Sequence, residues 1–150
     1  MGKLRGKTQN NKINMKSDEK KECFSAQYPW FSFQNMTKNS KYNLSELHSG
    51  KEKEETLEGL YRRLQELSEY QWIYWMQQPK QSGLETLCYG DIKFEASRTV
   101  KISKDTSVYV FRFDTHKGRK TGRIIGYKNS PCSVLHIIGY DLDFSAYDHG

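Results

Sequence analysis

Six basic residues within 17 positions are the part of this sequence best suited to chemistry. They are Arg112, Lys117, Arg119, Lys120, Arg123 and Lys128. The flanking apolar residues predict a β-hairpin with Arg112 and Arg123 on neighbouring strands and most of the lysines in or near the connection. A guanidinium group holds a phosphate through paired hydrogen bonds, whereas lysine attracts it as a point charge. The pattern therefore predicts a surface for nucleic acid, with Lys117, Arg119, Lys120 and Lys128 as its binding residues.

Two other interpretations of the same hairpin stay open. Lysine and arginine on a solvated hairpin can simply protect an edge strand from aggregation. Arg112 could also form an internal ion pair with Asp114, the only acid in the basic stretch, or with Asp141.

Histidines supply candidates for proton transfer. His136 lies in the apolar run from Val134 to Ile138, where it is either a buried structural residue or a general acid or base lining a groove. His149 is the penultimate residue and follows Tyr147 by two positions. Because Asp148 and His149 are adjacent, their spacing gives no evidence for an oriented carboxylate–imidazole pair.

Motifs for other chemistries are missing from the sequence. It has no HExxH, no paired Cys/His spacing, no GxSxG and no glycine-rich phosphate loop. Asp141 and Asp143 could bind Mg²⁺ at a strand end, but a two-metal nuclease needs a third carboxylate, for which Asp148 is the local candidate. The sequence predicts no metal and no cofactor.

Composition and charge indicate the kind of partner and the cellular compartment. The net charge is +6, with basic excess in residues 1–25 and 91–150 and near neutrality between them, and such a balance favours polyanionic partners. Three widely spaced cysteines without a CxxC pair favour a reducing, cytoplasmic compartment. No apolar run is long enough to cross a bilayer and no secretory signal is recognisable, so we expect no membrane association.

The predicted elements form a single α+β domain over residues 26–150, behind a disordered basic tail over residues 1–25. We expect an N-terminal strand over 30–36, a short helical turn over 43–47 and one long amphipathic helix over about 51–77. A C-terminal antiparallel β-meander of three to four strands follows. Its strands are predicted at 84–89 or 91–94, then 107–113, 121–128 and 133–140. The aromatic segment 70–75 is interpreted as core, with a base-stacking platform as the alternative.

The order of these elements resembles the RelE/ParE-type toxins of bacterial toxin–antitoxin systems. The resemblance covers about residues 28–150 and is architectural. It is carried by the meander segments Tyr109-Val110-Phe111-Arg112-Phe113, Gly122-Arg123-Ile124-Ile125-Gly126-Tyr127, Val134-Leu135-His136-Ile137-Ile138-Gly139-Tyr140-Asp141 and Tyr147-Asp148-His149-Gly150. The ribosome-dependent members of that toxin family cut mRNA with Arg, Lys and Tyr side chains and no metal. This chain departs from them in its length, its tail and its single dominant helix.

The resemblance implies a metal-independent endoribonuclease acting on mRNA. The RNA 2′-hydroxyl would attack the adjacent phosphate, and Arg112 and Arg123 would stabilise the growing negative charge. Lys117 or Lys120 would steer the RNA backbone. Proton transfer would fall to His136, His149, Tyr140 or Tyr147. The partners implied are RNA or the ribosome, together with an acidic, antitoxin-like protein.

Two non-catalytic functions are alternatives. A module that binds nucleic acid or an acidic protein would use the same basic surface without any role for the histidines. A protein-binding inhibitor or mobile-element accessory factor would instead use the aromatic segments 30–33 and 70–75 as its contact patch.

Overall fold

The computed structural model describes residues 27–47, 49–97, 100–115, 120–128 and 133–149. The predicted disordered tail over residues 1–25 lies outside these ranges. So do Lys117 and Arg119 of the predicted basic hairpin.

One mixed sheet of five strands organises the fold. The strands are β1 (Trp30–Ser32), β2 (Leu84–Cys88), β3 (Ser107–Thr115), β4 (Lys120–Lys128) and β5 (Val134–Asp141). Their order across the sheet is β1-β5-β4-β3-β2. Strands β2 to β5 form the predicted antiparallel meander, and β1 adds to β5 in parallel. The α+β class, with one main helix and a mostly antiparallel sheet, is confirmed.

Strand β1 is shorter than the predicted 30–36. It pairs with β5 over only three residues, after which the chain turns with the Met36 N–H donating to the Phe33 carbonyl at 3.2 Å. Asn35 is buried in that turn and donates to the Tyr127 hydroxyl at 2.8 Å. A short 3-10 helix, Ser40–Tyr42, precedes the segment 43–47, where a helical turn was predicted and where the Leu47 N–H donates to the Leu44 carbonyl at 3.2 Å.

The predicted long helix is two helices, α1 (Lys51–Glu69) and α2 (Trp72–Gln77). Tyr70 between them is extended, with φ −123° and ψ 151°. Two tryptophans explain the break. The Trp72 indole donates to the Ser133 carbonyl and the Trp75 indole donates to the Leu67 carbonyl, both at 2.9 Å. Both rings are buried in one hydrophobic cluster with Leu67 of α1 and Phe111 of β3.

Both faces of the sheet carry a hydrophobic core. The helices cover one face, where Leu67, Trp72 and Trp75 pack with Phe111 of β3. Irregular segments cover the other face, which includes Phe94, Val110 and Ile125. Successive residues such as 124–125 and 137–138 are therefore both buried, each on its own face.

Within the described ranges no helix is long and apolar enough to cross a membrane.

Candidate functional site

Arg112 and Arg123 lie directly opposite each other on β3 and β4. Side chains at directly opposite positions share a face of the sheet, with Cβ atoms about 4.5–5.5 Å apart, and like charges placed there repel. On the other side of Arg123, the opposite residue on β5 is Asp141. One row across three strands thus holds two cations and one anion.

Arg123 is almost completely enclosed. Its side chain is 4% exposed, and its Nη1 lies 3.4 Å from Oδ2 of the fully buried Asp141. The guanidinium carbon lies 4.0 Å from the ring centroid of Phe144 and 5.1 Å from that of Tyr147. A charge pair with aromatic walls compensates for the desolvation of Arg123.

Residues 142–149 form a C-terminal segment that folds back over Arg123. Asp141, the residue before this segment, fixes its first turn. The Asp141 carboxylate accepts from the backbone N–H groups of Ser145 and Ala146 at 3.1 and 3.2 Å. Phe144 adopts a left-handed backbone, with φ 61°, which is strained for a bulky side chain. The stack of its ring on Arg123 holds that conformation.

His149 contacts Arg123 at the end of this segment. Its Nε2 lies 3.2 Å from Arg123 Nη1, and its ring centroid lies 4.5 Å from that of Tyr147. Arginine can only donate, so Nε2 of His149 is the acceptor in this contact. The imidazole is exposed, so Nε2 could accept from a ligand once the contact with Arg123 opens.

Tyr147 is a buried hydroxyl in the same cluster. It donates to Glu85 Oε2 at 3.1 Å, and Lys80 Nζ lies 2.6 Å from the other oxygen of that carboxylate. Burial raises the pKa of Tyr147 to about 12, although the charge of Arg123 opposes the shift. Burial alone would raise the pKa of Glu85, but hydrogen bonds from Lys80 and Tyr147 hold it below its ordinary value. Tyr147 therefore stays protonated near neutral pH and cannot act as a base there.

Two buried tyrosines predict a loss of stability in alkali. Burial raises the pKa of both Tyr140 and Tyr147 to about 12, whereas an unfolded tyrosine titrates near about 10. Above pH ~10 the unfolded chain releases protons that the folded chain retains, so their contribution is complete below pH ~10 and is lost as the pH rises to ~12. The slope reaches up to about 1.4 kcal/mol per pH unit for each tyrosine.

Urea unfolding at a series of pH values from about 9, one unit below the ordinary tyrosine pKa, to about 12, the raised pKa, measures this loss. The double variant Tyr140→Phe, Tyr147→Phe should lose less stability over the window than the parent. An equally steep loss in the double variant would contradict the assignment.

Arg112 differs from Arg123 in its contacts. It is half-buried, its Nε is enclosed without a hydrogen-bond acceptor, and no ion pair joins it to another residue in the described part of the chain. It lines an open cleft of about 450 Å³. Neither Asp114 nor Asp141, the two acids considered from sequence, is bound to it: Asp141 binds Arg123 instead.

Two arginines of α1, not identified from sequence, line the same cleft. Arg63 Nη1 lies 2.7 Å from Glu66, and its Nη2 donates to the Ser82 carbonyl at 2.8 Å. Arg62 pairs with Glu58 at 2.5 Å. The i,i+3 and i,i+4 spacings are those of ordinary surface pairs on a helix, so nothing in them pointed to a cleft. The one available signal was Gly59, since glycine inside a helix often marks close approach of another element.

Other predicted site residues lie elsewhere. Lys128 is buried on the helix-covered face, with Nζ 3.7 Å from the Trp72 ring centroid and 4.9 Å from that of Tyr109. His136 stacks on Tyr127, with ring centroids 5.1 Å apart. It precedes Asp141 by five residues along β5, or about 16 Å of strand. The structure therefore brings Arg123, Tyr147 and His149 together, places Arg112 opposite Arg123 on the neighbouring strand, and leaves out His136 and Lys128.

Two further predicted positions can be placed only by strand and register. Lys120 begins β4 opposite Thr115. Tyr140 lies opposite Ile124 and belongs to the core under the helices, on the other face from Arg123.

The acids considered for Mg²⁺ are engaged by cations and hydrogen-bond donors. Asp143 pairs with Lys41 at 3.2 Å and accepts from the Ser145 hydroxyl, which with Lys41 holds its pKa below the ordinary value. Asp148 pairs with Lys93. Among the residues that the structure describes, no group of three His, Cys, Asp or Glu side chains is placed to hold a metal ion.

The two aromatic segments differ in exposure. Trp72 and Trp75 are buried, whereas Tyr70 and Tyr74 stack on the surface with ring centroids 4.3 Å apart. Trp30 of the edge strand β1 is 68% exposed. The tryptophans of segment 70–75 therefore contribute to the core, and its tyrosines to the surface.

No family model matches the chain, and comparison with curated proteins and with solved structures found no match either.

Proposed function

We propose that this protein is an RNA-directed, toxin-like ribonuclease that needs no metal ion. The observation that supports the proposal is the cluster of Arg123, Tyr147 and His149, with Arg112 opposite Arg123 on the neighbouring strand. A cation pair beside an accessible imidazole is the combination that cleavage by a 2′-hydroxyl requires.

The groups divide the reaction between them. His149 would take the proton of the 2′-hydroxyl at Nε2 as that oxygen attacks the adjacent phosphorus. Arg112 would stabilise the charge on the phosphorane, since its guanidinium forms no ion pair with a carboxylate among the residues that the structure describes. The bond from phosphorus to the 5′-oxygen then breaks, and the imidazolium of His149, repelled by Arg123, returns the proton to that oxygen. A 2′,3′-cyclic phosphate and a free 5′-hydroxyl remain.

Arg123 and Tyr147 are positioning residues in this scheme. Arg123 is held by Asp141 and by aromatic rings, and its 3.2 Å contact with Nε2 of His149 must open before that nitrogen takes the proton. Tyr147 stays protonated and packs beside the imidazole. Replacing Arg123 would leave Asp141 buried without its partner, so loss of activity in an Arg123 variant would not separate chemistry from unfolding.

We expect His149→Gln and Arg112→Gln each to slow RNA cleavage by about 10²–10³-fold, which is typical for removal of an acid–base or charge-stabilising group. The assay uses the full chain, end-labelled single-stranded RNA and EDTA, with DNA of the same sequence as the uncleavable substrate. His136→Gln is the matched control, because it removes a histidine about 16 Å of strand away.

Each result bears on the assignment. Cleavage in EDTA that survives in His149→Gln but fails in His136→Gln would overturn the proposed site. In cells, controlled expression of the parent should slow growth, and the Arg112→Gln variant should not.

Binding of RNA without cleavage is the second candidate. The burial of Arg123 favours it, since a guanidinium that is 4% exposed and paired with Asp141 has little surface left for a phosphate. RNA that is bound but keeps its full length would indicate this function. Its affinity should then fall steeply with salt, and Arg112→Gln should reduce the slope of log affinity against log salt by about 0.7.

A further inference from the structure

The cleft lined by Arg112 lies beside the uncovered end of β3. Strand β2 begins at Leu84, opposite Phe111, so it does not cover the residues of β3 that follow. Helix α1 crosses this end of β3 at Gly59, and the turn at Gln81 and Ser82 closes the other side. The cleft of about 450 Å³ is the size of a site for a small ligand.

The lining of this cleft is rich in arginine. It includes Arg62, Arg63 and Arg112 together with two carboxylate residues, Glu66 and Asp114. Arg62 and Arg63 are already paired with glutamates of α1, and the guanidinium of Arg63 also lies over the Trp75 ring at 5.1 Å. The contacts of Arg63, whose side chain is 11% exposed, fix it in place, so it enters binding with little conformational entropy left to lose.

Arg112 supplies the unsatisfied donors. Its Nε is shielded from solvent and has no acceptor, and the same is true of Arg63 Nε. An enclosed N–H without an acceptor costs about 1–3 kcal/mol, which a ligand oxygen recovers only if the guanidinium turns toward the cleft. Gln81, Ser82 and Thr121 add neutral polar groups to the lining, which suits a hydrophilic anion better than an apolar ligand.

We infer that the cleft binds a phosphate group, carried either by a free mononucleotide or by the backbone of a nucleic acid. A planar guanidinium matches the tetrahedral oxygens of phosphate through two parallel hydrogen bonds. The site goes beyond the proposed ribonuclease activity, because the cleft would hold a phosphate whether or not RNA is cleaved.

Titration of the full chain with inorganic phosphate, adenosine monophosphate and a short single-stranded RNA tests the inference. Amide chemical shifts are followed at constant ionic strength with sodium chloride as the reference. Saturable shifts are expected at Gly59, Ser82 and Thr121. Arg112→Gln should weaken phosphate binding about tenfold, the effect of losing one charge-assisted contact.

Further variants distinguish binding in the cleft from nonspecific attraction of phosphate to a basic protein. Arg62→Gln should weaken binding less than Arg112→Gln, because Glu58 already shares its charge. Arg112→Lys, which keeps the charge but not the paired hydrogen bonds, should bind with intermediate affinity. Lys101→Gln, which removes an exposed cation outside the cleft, should bind like the parent.

The three ligands distinguish the two sources of phosphate. Tighter binding of adenosine monophosphate than of inorganic phosphate would indicate a nucleotide. Tighter binding of RNA alone would indicate a backbone phosphate. Unsaturable shifts, or equal weakening in Lys101→Gln, would overturn the inference. A protein that cleaves RNA but binds no inorganic phosphate would overturn this inference alone and leave the proposed function standing.

Discussion

Replacement of Asp141 by alanine is expected to destabilise the protein by about 3–5 kcal/mol. The carboxylate is fully buried and compensates Arg123, which is itself 4% exposed. Alanine would leave the guanidinium buried without a counter-charge and would remove the acceptor for the Ser145 and Ala146 N–H groups. Urea unfolding, followed by tryptophan fluorescence, gives the free energy of unfolding.

Two variants show whether the loss comes from the unpaired charge. Asp143→Ala removes a neighbouring exposed carboxylate and should cost about 1 kcal/mol or less, as is usual for a surface pair. The double variant Arg123→Met, Asp141→Leu removes both charges and should recover much of the lost stability, since apolar side chains can replace a buried ion pair. Asp141→Ala as stable as Asp143→Ala would mean that Arg123 is not held by Asp141.

The same ion pair shows how far the sequence led toward the site. Hairpin geometry correctly placed Arg112 and Arg123 on neighbouring strands. Asp141 was considered as a partner for Arg112, yet the register of β4 on β5 puts it opposite Arg123. A shift of register between Ile125 and Gly126 contributes to that alignment, and no residue pattern in a single strand encodes it.

Contacts between distant residues also determine parts of the fold that the local sequence pattern does not predict. The meander was predictable because alternation and turn residues are local. The end of α1 was not predictable in this way. It depends on hydrogen bonds from the Trp72 indole to a carbonyl 61 residues away along the chain and from the Trp75 indole to a carbonyl 8 residues away. The parallel pairing of β1 with β5 is also non-local, and three residues carry too little pattern to reveal it.

His136 and His149 illustrate the same limit for the site. Both are imidazoles near tyrosines in the sequence, and residue type alone ranks them equally. His149 reaches Arg123 because the C-terminal segment folds back over that arginine, held by hydrogen bonds to Asp141. His136 instead lies where β5 meets β1, opposite Ser32.

Gly59→Ala is expected to destabilise the protein by about 3 kcal/mol, against the usual direction for a helix interior. Alanine in place of glycine normally stabilises a helix by up to about 1 kcal/mol. Here the added Cβ would lie 1.8 Å from the Asp114 carbonyl oxygen and 3.0 Å from its carbon. Both atoms belong to the backbone of β3, so α1 must move away from the strand, at the cost typical of overpacking a close contact.

Gln65→Ala is the matched control for that variant, because it changes an exposed residue of the same helix and should alter stability by about 0.5 kcal/mol or less. Since Gly59 lines the cleft, displacement of α1 should also carry Arg62 and Arg63 away from Arg112. Phosphate binding should then weaken in Gly59→Ala even under conditions where the variant is fully folded. A Gly59→Ala protein more stable than the parent would show that α1 does not contact β3 at this point, and the cleft would lose the wall that brings its arginines together.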